Sequence, residues 1–172
     1  VYLIAPNVEN HGIIQSPQGE VILAAGRSVE LVDAGTPGLR VEITAPDTEA
    51  VNVGQIIANS GRIGIYAGLI RNSGIIKADG VVVGQNGEIL LKATNNAQLE
   101  AGGVISASGT ANGIGGGNIT VEGGTITNAG TVQANAADNA TAGNISMVAQ
   151  NNLTLDSTSI VEAKGADVNS TG

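Results

Sequence analysis

Apolar and polar residues alternate along most of the chain, in short runs that glycine and asparagine separate. In the clearest runs a glycine is followed by an apolar residue at every second position, with variable and mostly polar residues between. Five segments share this pattern: 19–25, 61–67, 87–93, 117–123 and 143–149. A period of two is typical of a strand that buries one face. The pattern therefore predicts five equivalent strands.

A second motif precedes most of these strands. It reads apolar-x-Asn-x-Gly-x-Ile/Val-x-Ala/Ser, and its glycine position falls at 12, 35, 54, 74, 103, 130 and 159, at intervals of 19 to 29 residues. The copies around 35 and 159 are the weakest. Repeats of this length indicate a solenoid, because one unit cannot bury its apolar face until neighbouring units stack on it. We predict an all-β fold, a parallel β-helix of about seven coils.

The repeat also predicts the domain organisation. Residues 1–172 form a single β-helix segment, which we expect to be a fragment of a longer chain. Residues 32–50 depart most from the repeat and are expected to form an extra-helical excursion. An apolar outward column of Ile22, Gly64 and Leu90 is either covered by this excursion or exposed as a contact face. A β-sandwich of hairpins is the alternative, since Asn-Gly and Asp-Gly pairs are typical of hairpin turns. The equivalence of successive units favours the solenoid.

Composition fits this fold and excludes several functions. The chain has 26 Gly and two Tyr, with no Phe, Trp or Cys, yet 42% of its residues are hydrophobic. A coil interior in which similar residues stack on one another has little room for aromatic rings. The formal net charge of −8 disfavours nucleic-acid binding, which needs basic patches and stacking rings. The absence of Cys excludes disulfides and thiol chemistry.

The motif places one polar residue type at the same position of several coils. Asn10, Asn52, Asn72 and Asn128 are predicted to stack as a ladder near a corner, with amides bonded from coil to coil. The alternative is that they are ordinary asparagines of surface turns.

Other candidate sites are weaker. His11 is the only histidine, and we interpret it as a solvated corner residue. Residues 113–117 are glycine-rich but lack the Lys-Ser/Thr of a nucleotide loop, so we expect a flexible loop. Glu20, Arg62 and Glu88 are predicted to form a solvated surface ladder. No catalytic residue, cofactor or metal site is expected.

Two stretches carry a resemblance to a known family. Residues 1–14 (VYLIAPNVENHGII) followed by 19–26, and residues 50–58 running into 61–68, resemble filamentous haemagglutinin-like exoproteins of two-partner secretion in Gram-negative bacteria. The resemblance is strong over residues 1–94 and looser over 95–172. It implies a right-handed parallel β-helix from the repeat region just after the secretion domain.

The resemblance also implies a function and partners. It suggests a secreted, cell-surface adhesin with roles in adhesion, aggregation and biofilm formation. Its partners would be an outer-membrane transporter, engaged through an amino-terminal secretion domain not visible here, and a surface receptor or glycan. The delivery stalk of a contact-dependent growth-inhibition toxin and a carbohydrate-active β-helix enzyme remain alternatives. End-to-end self-association is a further expectation, because neither end has an amphipathic cap.

Overall fold

A computed structural model describes residues 1–26, 29–33, 39–43 and 48–166. These residues form strands and connecting turns, with no helix, and none of them belongs to a helix that could cross a membrane. The strands are β1 (Tyr2–Ala5), β2 (Val8–Asn10), β3 (Ile13–Gln15), β4 (Glu20–Ala25), β5 (Val29–Asp33), β6 (Leu39–Ile43), β7 (Glu49–Asn52), β8 (Gln55–Ile57), β9 (Arg62–Asn72), β10 (Ile75–Lys77), β11 (Glu88–Leu99), β12 (Val104–Ser106), β13 (Asn118–Asn128), β14 (Thr131–Gln133), β15 (Asn144–Leu155) and β16 (Ile160–Glu162).

The strands stack into a parallel β-helix, as the repeat predicts. One sheet has eight strands, in the order β1-β4-β9-β11-β13-β15, with β2 and β7 paired alongside. A second sheet has six strands, in the order β16-β14-β12-β10-β8-β3. All pairings within these two sheets are parallel and join equivalent positions of successive coils.

The described residues contain six coils, because each coil contributes one strand to the second sheet. The predicted number of about seven is one too many. The weak copy of the motif at 31–35 falls on β5, which pairs antiparallel with β6 in a separate two-stranded sheet. Ala34 and Gly35 lie outside the described residues. A local motif does not distinguish a strand that stacks in parallel on the adjacent coil from a strand that forms an antiparallel hairpin with the next strand in the sequence.

The hairpin of β5 and β6 leaves the coil at a corner. Strand β9 is continuous around this corner. In the previous coil two separate strands pair with it: Glu20–Ala24 of β4 pair with residues 62–66, and β7 pairs with residues 69–72. The hairpin strands cover 29–33 and 39–43, and Glu49–Asn52 pair within the main sheet. Of the excursion predicted at 32–50, residues 34–38 and 44–47 lie outside the described residues. The Thr48 Oγ accepts a bond from the Gly68 backbone at 3.0 Å, which joins the two coils at this corner.

The core lies in the coil interior and consists of columns of similar aliphatic side chains. Within each column a residue packs on its equivalent one coil away, and the central members are buried completely. Three of these columns are Val21–Ile63–Ile89–Ile119, Leu23–Ile65–Leu91–Val121 and Ile56–Ile76–Ile105–Val132. Burying one such side chain contributes about 1.5–3 kcal/mol, so repetition builds a stable core without aromatic rings.

Candidate functional site

The recurring polar position of the motif forms a buried asparagine column. The Asn10 Nδ2 donates to the Asn52 Oδ1 at 2.8 Å, and the Asn52 Nδ2 donates to the Asn72 Oδ1 at 2.8 Å. All three side chains are buried, so they line the coil interior rather than a surface turn. Two of the Nδ2 groups also donate to backbone carbonyls of the following coil, those of Gln55 and Ile75. The amides thus replace the water that a buried polar group loses.

Asn128 occupies the same column but does not touch the other three. The pairing register places Leu99 between Asn72 and Asn128. The Asn128 Oδ1 accepts a bond from the Gly130 backbone at 3.1 Å, while its buried Nδ2 has no partner. The predicted ladder of four is therefore a ladder of three, interrupted by one leucine, with a separate asparagine beyond it.

A second polar stack follows the second sheet and was not predicted from the sequence. The buried carboxylate of Asp79 accepts the Ser106 hydroxyl at 2.5 Å and the Ser108 backbone N–H at 2.8 Å through Oδ1. Its Oδ2 lies 3.0 Å from the Lys77 Nζ. A buried carboxylate with a cation and two donors is satisfied. The Ser106 hydroxyl is itself buried and is therefore inaccessible to a substrate that would need a serine nucleophile.

This polar stack continues into the last two coils. The Gln133 Nε2 donates to the Ser106 Oγ at 3.3 Å, and the Asn135 Nδ2 donates to the Glu162 Oε2 at 3.2 Å. The pKa of Glu162 is lowered mainly by the hydrogen bond from Lys164 and to a smaller extent by the hydrogen bond from Asn135. A signal was present in the sequence: a polar-Ala-polar triplet recurs at 77–79, 106–108, 133–135 and 162–164.

Charged side chains on the outer faces pair with one another. The Arg62 Nε lies 3.0 Å from the Glu88 Oε2, whereas the Glu20 Oε2 accepts the Tyr2 hydroxyl at 2.6 Å. The coils thus align the predicted Glu20, Arg62 and Glu88. Each Lys and Arg among the residues whose side chains are described has a carboxylate within 4 Å; these cations are Arg62, Arg71, Lys77, Lys92 and Lys164. Among the residues whose side chains are described, these pairs leave no basic patch.

The apolar outward column is buried beside the hairpin. Ile22, Ala24 and Tyr66 pack together, with Leu90 against them. The backbone of β6 lies close to β4 and β9, the strands that carry these residues. Burial raises the pKa of Tyr66, an effect that the positive charge of Arg62 partly offsets. This column is therefore an internal contact of the fold.

Two other candidates from the sequence show no binding geometry. The His11 Nε2 lies 3.3 Å from the Glu9 Oε2, and both side chains are exposed. In the glycine-rich loop 113–117, Ile114 is buried and packs against Gly80, so the loop expected to be flexible is anchored. Among residues 1–26 and 48–166 no three His, Cys, Asp or Glu side chains come together as metal ligands would.

One surface cavity is large enough for a small molecule. It measures about 310 Å³ and lies on the outer face of β11, β13 and β15, lined by Lys92, Ala93, Thr94, Glu122, Gly123, Val148 and Gln150. Its single carboxylate, that of Glu122, lies 3.4 Å from the Lys92 Nζ. Glycoside hydrolysis uses two carboxylates on opposite sides of the scissile bond. The cavity does not provide that pair.

The chain is similar to a solved secretion domain. That structure is the HMW1 secretion domain from Haemophilus influenzae, at 29% sequence identity and a TM-score of 0.82. The match covers 95% of this chain and 46% of the other, so this chain spans about half the length of the protein it resembles. No protein-family model matches the sequence. No curated protein matches it either.

Proposed function

We propose that this chain is part of the secretion domain of a large adhesin that a Gram-negative bacterium exports by two-partner secretion. One observation carries the proposal: nearly the whole chain superimposes on the HMW1 secretion domain, at 29% identity. The likeness favours a place inside such a domain over the repeats that follow it. The partner is then an outer-membrane transporter, which the chain engages directly.

The fold suits export of an unfolded chain. Each strand of the main sheets pairs with its equivalent in the adjacent coils, and among the described strands the coils follow one another in chain order. The amino-terminal coils can therefore form as soon as they emerge, and each later coil adds to an existing edge. The Asn10 and Asn52 amides present donors that the next coil satisfies. Folding outside the membrane in this order needs no external energy source.

We further infer that the chain is a non-catalytic scaffold of a secreted, cell-surface protein with roles in adhesion, aggregation or biofilm formation. Two features of the described residues support this role. The carboxylates near the surface cavity and the buried stack are bound to cations or hydroxyls. The outer faces are acidic and paired, which suits a rod that displays loops to a receptor or glycan. The same scaffold would serve as a toxin delivery stalk, and only a toxin domain elsewhere in the full protein would favour that function.

A hybrid protein tests the secretion function. The chain replaces the matching part of the HMW1 secretion domain, and the hybrid is produced in cells that secrete HMW1. We expect the hybrid to reach the culture medium at a level within an order of magnitude of HMW1. The control carries a shuffled sequence of the same composition and should remain in the cells. Retention of the unshuffled hybrid, when circular dichroism shows that the purified chain folds, would contradict the proposal.

A further inference from the structure

Three dipeptides of the sequence place Asn or Asp before Gly, the order that forms a cyclic succinimide most readily. They are Asp79-Gly80 and Asn86-Gly87, in the loop between β10 and β11, and Asn112-Gly113, in the loop between β12 and β13. In this reaction the backbone nitrogen of the glycine attacks the side-chain carbonyl carbon of the residue before it. Glycine has no Cβ to obstruct the ring. Because the two Asn-Gly pairs are alike in an unfolded chain, their surroundings decide which one reacts in the folded chain.

The Asp79-Gly80 pair is held on both sides of the reaction. The Gly80 N–H donates to the Ser108 carbonyl at 2.9 Å, so the attacking nitrogen is engaged. The Asp79 carboxylate accepts hydrogen bonds from the Ser106 hydroxyl and the Ser108 N–H, and only 5% of this side chain is exposed. Neither group can turn toward the other without breaking buried hydrogen bonds.

The Asn112-Gly113 pair is held by the loop of the next coil. The Gly113 N–H donates to the Asp138 carbonyl at 2.7 Å. The Asn112 Oδ1 accepts a hydrogen bond from the Asn139 Nδ2 at 2.9 Å. The Asn112 side chain is exposed to water, yet both reacting groups already have partners that fix their direction.

The Asn86-Gly87 pair lacks these restraints. Among the described residues neither the Asn86 side chain nor the Gly87 N–H has a hydrogen-bond partner. Asn86 is exposed and belongs to no strand. It directly follows a tight turn in which the Gln85 N–H donates to the Val82 carbonyl at 3.1 Å. The side chain is therefore free to bring its carbonyl carbon to the glycine nitrogen, which is the proximity that an intramolecular reaction needs.

We propose that Asn86 is a site of spontaneous deamidation in the folded chain and that Asn112 is protected from it. Hydroxide from the solvent removes the proton of the Gly87 nitrogen, which bonds to the Asn86 Cγ. The bond from Cγ to the side-chain nitrogen breaks, and this nitrogen takes a proton from water and leaves as ammonia. Water then opens the succinimide at either carbonyl, which gives an aspartate or an isoaspartate at position 86. Water is the only co-reactant.

The isoaspartate product would disturb the start of β11. It adds one methylene group to the main chain immediately before Gly87, which is buried. The Gly87 carbonyl accepts the Asn118 N–H at 3.0 Å, and a Cβ on Gly87 would overlap the Ala78 carbonyl. The corner has no room for a longer backbone. Deamidation therefore weakens the pairing of β11 with β13 and adds a negative charge to the exposed loop.

Rates of deamidation in the folded and the unfolded chain test the proposal. The purified chain is incubated at neutral pH with and without urea, and circular dichroism confirms the folded state. Trypsin, which cleaves after Lys and Arg, places Asn86 in the peptide 78–92 and Asn112 in the peptide 93–164. Fragment mass spectrometry locates the change. In urea the two pairs should react at similar rates. Because Gly87 is buried, folding should slow Asn86 too, but it should slow Asn112 roughly tenfold more.

Two variants show whether the named groups are responsible. Asn139→Gly removes the donor to the Asn112 Oδ1, and glycine tolerates the positive φ of 59° at this position. We expect faster deamidation of Asn112 and an unchanged rate at Asn86. Asn86→Gln should remove the signal from the peptide 78–92, because glutamine would have to form a larger ring.

Equal slowing of Asn86 and Asn112 by folding overturns the proposal, and so does stronger slowing of Asn86. An Asn86 that stays intact in the folded chain while the urea sample reacts overturns it as well. An unchanged Asn112 rate in Asn139→Gly contradicts the proposed protection. None of these results bears on secretion, which the hybrid tests separately.

Discussion

The Asn52 side chain donates its Nδ2 hydrogen to the Asn72 Oδ1 across 2.8 Å, in the buried interior one coil away. At the same time its Oδ1 accepts the Asn10 Nδ2 at 2.8 Å. Asn52 is therefore the central member of the ladder and has a donor on one side and an acceptor on the other. Removing it takes the donor from the buried Asn72 Oδ1 and leaves the Asn10 Nδ2 with only its bond to the Gln55 carbonyl.

We expect Asn52→Ala to lower the free energy of unfolding by about 1–3 kcal/mol, the cost of unsatisfied buried polar groups. Urea denaturation followed by circular dichroism measures the change. The control is Asn151→Ala, because Asn151 is exposed at a corner of β15. Its effect should stay within about 0.5 kcal/mol. Equal losses in the two variants would mean that the ladder does not stabilise the fold.

Leu155→Asn should supply the partner that Asn128 lacks. The Asn128 Nδ2 is buried and unpaired, and Leu155 follows it in the same column. By the pattern of Asn10 and Asn52, an asparagine at 155 would accept a hydrogen bond worth about 0.5–1.5 kcal/mol.

The matched control for that change is Leu153→Asn. Leu153 lies two residues away on the same strand, is similarly exposed, and follows Ile126, which offers no donor. We expect Leu155→Asn to be the more stable variant by about 1 kcal/mol in urea denaturation at dilute protein. Equal stability of the two variants would show that the Asn128 amide has another partner, such as water.

Gly54→Ala should be far more damaging than Gly12→Ala, although the two glycines hold equivalent positions. A Cβ on Gly54 would lie 2.1 Å from the Gly12 carbonyl oxygen, whereas a Cβ on Gly12 meets nothing within 4 Å. The clash is with backbone and requires the coils to separate. We expect a loss of about 3 kcal/mol or more for Gly54→Ala, at the upper end of overpacking effects. Thermal unfolding measures both variants, and similar melting temperatures would contradict the geometry.

The two tyrosines should make the fold sensitive to alkali. Burial raises the pKa of Tyr66, and the hydrogen bond to Glu20 raises that of Tyr2, both from an ordinary value of 10.0. Above that pH the folded chain holds more protons than the unfolded chain. Its stability is therefore complete below about pH 10 and falls as the pH rises through the folded values.

Absorbance of tyrosinate measures this directly, because the chain has no tryptophan. Both tyrosines should titrate above pH 10 in the folded chain and close to it in urea. Tyr66→Phe and Tyr2→Phe assign the two transitions, each by removing one. A folded Tyr66→Phe variant in which Tyr2 titrates at its ordinary value would contradict the bond to Glu20.

Much of the fold could be predicted because its rules are local. The alternation in 61–67 and 87–93 identifies strands and their inward faces, and β9 and β11 pair with those positions aligned. The apolar outward column was also recognisable, but whether it was covered depended on where the hairpin packs. The stack of Lys77, Asp79 and Ser106 was not foreseen, because hydrogen bonds between residues about 27 positions apart form only once the coils are in register.

Local pattern was enough to establish a β-solenoid whose interior is built from small aliphatic residues, since a period of two orients side chains regardless of what they meet. Contacts between coils required the folded chain. The register puts Leu99 between Asn72 and Asn128, and residues 31–33 of the weak motif copy pair antiparallel with β6 instead of joining the stack. The physical reason is the same in both cases. Which strand pairs with a given edge depends on interactions with residues distant in the sequence, and the strand's own residues do not determine those interactions.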